Sequence, residues 1–95
     1  MYLNDIARAI RGEVPEDALP EGTTLALFRL YAVLLLAKGA EVTAEDVHNA
    51  WVAWMASQDA EHDSLVPFSE LDAETQAEDS PFVAAIRVVA LRSPH

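Results

Sequence analysis

The sequence predicts an all-α domain: a compact bundle of four to five short helices around one buried central helix, with room for a short extended segment at residues 65–67. Three observations carry that expectation. Apolar residues recur at helical spacing in several separate stretches, bounded by glycine, proline or capping residues. The stretch LALFRLYAVLLLAKG is apolar on nearly every side, which marks a helix enclosed by others. A chain of 95 residues with a 52% hydrophobic share makes a single domain, residues 1–95, with a small core.

The first helix covers Tyr2 to Ile10, where Leu3, Ile6, Ala7 and Ile10 share a face and Gly12 acts as a stop. Residues 13–22 contain Pro15, Pro20 and Gly22 among acids and read as a loop. Thr23 or Thr24 can cap the central helix, which runs to about Lys38 and ends at Gly39. These form an N-terminal helical pair, residues 1–41. Tyr31 reads as a core residue with a paired hydroxyl rather than a ligand contact. Thr43 caps the third helix, and Asp46 completes a weaker form of the capping box. That helix reaches about Ser57, and Val47, Ala50, Trp51, Trp54 and Met55 form its apolar stripe. A polar loop, SQDAEHD, leads to the apolar clip Leu65-Val66-Pro67-Phe68, with one helical turn at residues 69–71. Asp72 with Thr75 starts a polar helix. Ser80-Pro81 caps the last one, built on Phe82, Val83, Ile86, Val89 and Ala90. Residues 93–95 should fray.

Composition excludes several functions. The chain has no cysteine, which removes disulfides, thiolate metal sites and a cysteine nucleophile. Residues 1–10 lack the apolar core of a signal peptide. The longest apolar run, Leu30 to Ala37, falls short of the ~20 residues a membrane span needs. A cytoplasmic protein with no membrane association is expected. The net charge is −10, and no Lys or Arg lies between Lys38 and Arg87, which argues against direct binding of nucleic acid.

Chemistry-bearing residues concentrate in EDVHNAWVAWM. Glu45, His48 and Trp51 lie three apart on one helix face. They can wall a pocket, with Trp51 stacking on a flat group and His48 and Glu45 giving hydrogen bonds. They can equally be a core tryptophan and a histidine that bonds a loop carbonyl. Spacing alone favours the second reading. His48 and His62 are too far apart in sequence for a zinc pair, so no metal and no cofactor is expected. No GxSxG, phosphate loop or dinucleotide fingerprint is present, so no enzyme is expected.

Taken together, Glu45-x-x-His48-x-x-Trp51, a loop, His62-x-x-Leu65-Val66-Pro67-Phe68-x-x-Leu71 and then Gln76-x-x-Asp79 resemble the ryanodine-receptor repeat domain. The likeness is to a single copy spanning about residues 42–90. Thr75-Gln76 stands where that family carries Glu-Lys, and the loop at residues 57–61 lacks its aromatics. The whole chain also looks like small proteins of actinobacteria and their phages. The resemblance implies a helical module that recognises nucleotide-related ligands in defence signalling. The candidate positions it implies are Glu45, His48, Trp51, His62, Pro67, Phe68 and Asp79.

The expected function is therefore non-enzymatic binding of a nucleotide- or nucleoside-like molecule, in the seam between the third helix and the LVPF clip. Phage–bacterium defence or counter-defence would be its setting, in the host cytoplasm if phage-encoded. The surrounding acids would repel phosphates, so a nucleoside or a cation suits the seam better. The alternative is an acidic interaction module that meets a basic protein partner, or a DNA mimic. Either could act as a monomer or a homodimer.

Overall fold

The computed structural model describes residues 2–19 and 25–92. Five α-helices appear there: α1 (Tyr2–Glu13), α2 (Leu25–Lys38), α3 (Ala44–Gln58), the short α4 (Ala73–Ala77) and α5 (Ser80–Arg92). Short 3₁₀ turns occupy Glu16–Ala18, Gly39–Glu41 and Phe68–Glu70, and no strand occurs among the described residues. The fold is all-α. The cap expected at Thr23 or Thr24 and the fraying expected at residues 93–95 lie outside the described residues.

Helix α1 buries Ile6, Ala7 and Ile10 against α2 and α5. It does not stop at Gly12. Glycine lowers helix propensity without forbidding the helix, and α1 runs on to Glu13 before Val14 N–H closes a turn on the Arg11 carbonyl and Pro15 follows.

Helix α2 packs against α1, α3 and α5 and buries Leu27, Phe28, Tyr31, Ala32 and Leu35. It is central but not enclosed. Val33 and Leu36 remain 50% and 42% exposed. A chain this short has too few elements to cover every face of one helix. Gly39 ends α2 with a left-handed φ of +57°, a conformation that costs glycine little.

The entry to α3 is a full capping box. Asp46 N–H donates to Thr43 Oγ1 at 3.2 Å, and Thr43 N–H donates to Asp46 Oδ2 at 2.9 Å. Lys38 Nζ, from the end of α2, reaches Asp46 Oδ1 at 2.9 Å. Burial acts to raise the Asp46 carboxyl, but its bonds to Lys38 and Thr43 outweigh that and hold it below the usual carboxylate range. Thr43→Ala should cost about 1 kcal/mol, read as a lower urea midpoint with an unchanged slope. A loss below a few tenths would mean the cap contributes nothing.

The clip is held by side chains from both directions. Its 3₁₀ turn begins at Phe68, one residue earlier than expected, because Pro67 with φ −54° and ψ 145° is the last extended position before it. Gln76 Nε2 donates to the carbonyls of Phe68 (2.9 Å) and Leu71 (3.2 Å), tying α4 to the clip. Asp72 caps α4 through Thr75 N–H at 2.8 Å. The last helix starts one residue earlier than its Ser-Pro pair suggests. The Asp79 carbonyl accepts from Phe82 and Val83 N–H, both at 3.1 Å, so Ser80 already lies inside α5.

Arg92 of α5 pairs with Glu13 of α1 at 2.7 Å, and Arg87 donates to the Val42 carbonyl at 2.8 Å. One hydrophobic cluster, from Ile6 through Phe28 and Val47 to Val89, runs through both halves of the chain. No helix among the described residues is long and apolar enough to cross a membrane.

Candidate functional site

The site begins with His48, the one buried polar residue found among the described residues, at 3% exposure. Its position on α3 turns the ring toward the clip. Nε2 lies 2.7 Å from the Val66 carbonyl. A carbonyl only accepts, so Nε2 carries the hydrogen and Nδ1 is the nitrogen left over. Trp51 stacks on the same ring, with centroids 5.7 Å apart and planes within 24°, and Phe68 leans against it at 6.0 Å. His62 meets the Trp51 edge at 5.1 Å. Ser64 N–H donates to His62 Nδ1 at 3.1 Å, which leaves the hydrogen on Nε2.

These rings do not enclose a space against the clip. The His48–Val66 bond and the Phe68 contact close that seam by packing. A cleft of about 580 Å³ opens instead toward Tyr31 of α2, the α4–α5 junction and the 3₁₀ turn at Asp17. Four of the seven candidates line it: His48, Trp51, His62 and Asp79. The other three do not. Glu45 is exposed in the first turn of α3. Pro67 is exposed and sets the backbone before the 3₁₀ turn, and Phe68 supports His48 from behind.

Two important members of the cleft were not expected there. Tyr31 is 1% exposed and packs on Phe28 and Phe82, with both centroid distances 5.5 Å, yet it also lines the cleft. Among the described residues its hydroxyl has no hydrogen-bond partner. Burial pushes that hydroxyl well above the usual tyrosine range, and the nearby Asp79 carboxylate adds to the effect. Glu78, beside Asp79, also borders the cleft. A phenol in an otherwise apolar run was the one sequence signal that could have found Tyr31.

Asp79 is the chemically distinctive group. Burial raises its carboxyl from 3.8 to about 6; a histidine charge at His48 opposes the rise and Glu78 reinforces it. Shifted carboxyls in a concave site mark candidate functional positions. Lys and Arg are missing from the cleft's lining, whereas Asp17, Glu78 and Asp79 all contribute to it. Arg8 and Arg11 line a separate hollow of about 230 Å³ at the end of α1. Among the described residues, no group of three His, Asp or Glu side chains is placed to hold a metal ion.

The likeness to the ryanodine-receptor repeat does not hold. No family model of that repeat matches the chain; a different family matches it, and over nearly its whole length. The physical reason lies in the motif. Residues three apart share a face on any amphipathic helix, and here the His–Pro–Phe part of the pattern records local packing of a clip on α3. That pattern also leaves out residues 1–41, whereas the matching family begins at residue 1 and takes in α1 and α2. No curated protein matches the chain, and no solved structure does. Residues 1–91 match a family described as Domain of unknown function (DUF7701), and the chain belongs to that family.

Proposed function

We propose that this protein is a non-enzymatic binding module, and that its ligand is a small nucleoside-like molecule with a flat ring and no phosphate. The observation that carries this is the meeting of the flat His48–Trp51 stack and the partly buried Asp79 in one cleft of about 580 Å³. That volume falls within the ~300–1,000 Å³ usual for ligand sites. Aromatic faces take planar groups, and a desolvated carboxyl gives a directional contact. The acids around the cleft disfavour a phosphate.

The side chains give little support to covalent chemistry. Ser64 offers its backbone amide, not its hydroxyl, to His62. That contact is a turn and not a nucleophile with its base.

Thermal shift with nucleosides and their monophosphates tests the proposal. A nucleoside at about five times its Kd should stabilise the fold by ~1 kcal/mol, a rise of ~4–8 °C for a chain this size. The matching monophosphate should give less than half that shift, and Trp51→Ala should abolish it. If no nucleoside moves the midpoint at millimolar concentration, the proposal fails.

A second reading is a basic protein partner. It is favoured by the exposed acids Asp59, Glu61, Asp63, Glu70, Asp72 and Glu74, which lie in a stretch without one Lys or Arg. Association of that kind should weaken about tenfold or more between low and physiological salt. A partner captured equally at both would not be using this surface.

A further inference from the structure

Resting on the cleft being a ligand site, we infer that it selects a small organic cation, a protonated nitrogen base held between the Asp79 carboxylate and the rings of Trp51 and Tyr31. The cleft lacks any Lys or Arg. The sequence has six Lys and Arg side chains: Arg8, Arg11, Arg29, Lys38, Arg87 and Arg92. None of them lines the cleft. Lys38 is bonded to Asp46, Arg92 to Glu13, and Arg87 to the Val42 carbonyl. Arg8 and Arg11 sit at the hollow beside α1. Arg29 is exposed on α2. The carboxylate of Asp79 is therefore taken partly out of water with no Lys or Arg beside it, His48 being the one side chain whose positive charge would oppose the effect of burial, and removing a charge from water is costly unless it is paired.

The walls supply the other half of the recognition. Trp51, Tyr31 and Phe82 all line the cleft. An aromatic face carries negative potential and attracts a cation within about 6 Å of its centroid. Tyr31, more than nine-tenths buried, adds a phenol oxygen that no described residue uses. A cation with N–H groups would meet the carboxylate through charge-assisted hydrogen bonds and the rings through their faces. An anion would meet Asp17, Glu78 and Asp79 with no Lys or Arg to compensate.

Three probes of nearly equal shape separate charge from fit: benzamidine (cationic), benzamide (neutral) and benzoate (anionic). Binding to the full-length protein is read by titration calorimetry at neutral pH. Benzamidine should bind at least tenfold more tightly than benzamide, with no benzoate binding detected. Asp79→Asn, shown by circular dichroism to stay folded, should bring benzamidine down to the level of benzamide. Equal binding of benzamidine and benzamide to the native chain would overturn the cation inference and leave the cleft a ligand site. A preference for benzamidine that survives in Asp79→Asn would also overturn it, by placing the charge recognition elsewhere. If none of the three probes binds, the cation inference falls, and the nucleoside titration decides separately whether the cleft binds anything.

Discussion

Replacing His48 with alanine should destabilise the protein by about 3 kcal/mol and loosen residues 64–71, which include the clip. Two losses combine. The 2.7 Å bond to the Val66 carbonyl disappears, and leaving a buried polar group unpaired costs about 1–3 kcal/mol. The ring at 3% exposure also leaves a void between Trp51 and Phe68, with the usual cavity term for a large-to-small change. On ~0.05–0.15 kcal/mol per residue, the whole domain holds only about 5–14 kcal/mol, so the loss is large. His48→Gln keeps a donor near the Nε2 position and should recover part of it. Urea unfolding measures the total. Amide hydrogen exchange locates the damage, because residues 64–71 should exchange faster while α1 and α2 change less. A cost under 1 kcal/mol with unaltered exchange in the clip would show that His48 does not hold it.

The local code of the chain was legible where the partners are close in sequence. The capping box at Thr43 and Asp46, the end of α2 at Gly39 and the cap at Asp72 each depend on residues within four positions of one another. The face that α3 turns inward was harder. Hydrophobicity assigns Trp51 to the core and leaves His48 undecided. The structure buries His48 and leaves Trp51 only partly buried, because the Val66 carbonyl, eighteen residues away, satisfies the histidine. A buried polar group is tolerated once it has a partner, and no local pattern announces a distant carbonyl.

The cleft was less legible than the fold for the same reason. Its walls come from residues 17–18, Tyr31, α3, His62 and the α4–α5 junction. Only the α3 part is a contiguous signal. LVPF reads as the opposite wall of a pocket, yet its carbonyl and its phenylalanine are what seal that side. Asp79 looks in sequence like one acid among sixteen. What separates it is burial beside Tyr31 and the start of α5, a consequence of how the helices pack.

That placement predicts the behaviour of Asp79→Asn, which should stabilise the unliganded protein at neutral pH by about 1–2 kcal/mol and leave it unchanged near pH 3. The folded carboxyl titrates at about 6 and the unfolded one near 3.8. The protonated form is thus favoured by folding. The stability linked to that proton is fully present below pH ~4, declines as pH rises through 6, and is gone above pH ~7. The gap between those two values corresponds to about 3 kcal/mol by linkage, and the partial exposure of the side chain reduces that through solvent screening. Asparagine carries no charge at any pH and retains a short polar side chain at the position just before α5, so helix capping changes little. Carboxylates that do not face Asp79 contribute equally to both proteins and cancel in the difference. The stability difference between variant and native chain should therefore rise between pH 4 and 7 and then stay flat. A difference that is constant across that range would mean that Asp79 is solvated as an ordinary surface acid. A saturating organic cation should reverse the order at pH 7, stabilising the native chain and not the variant, because the ligand then supplies the partner that no Lys or Arg of the fold provides.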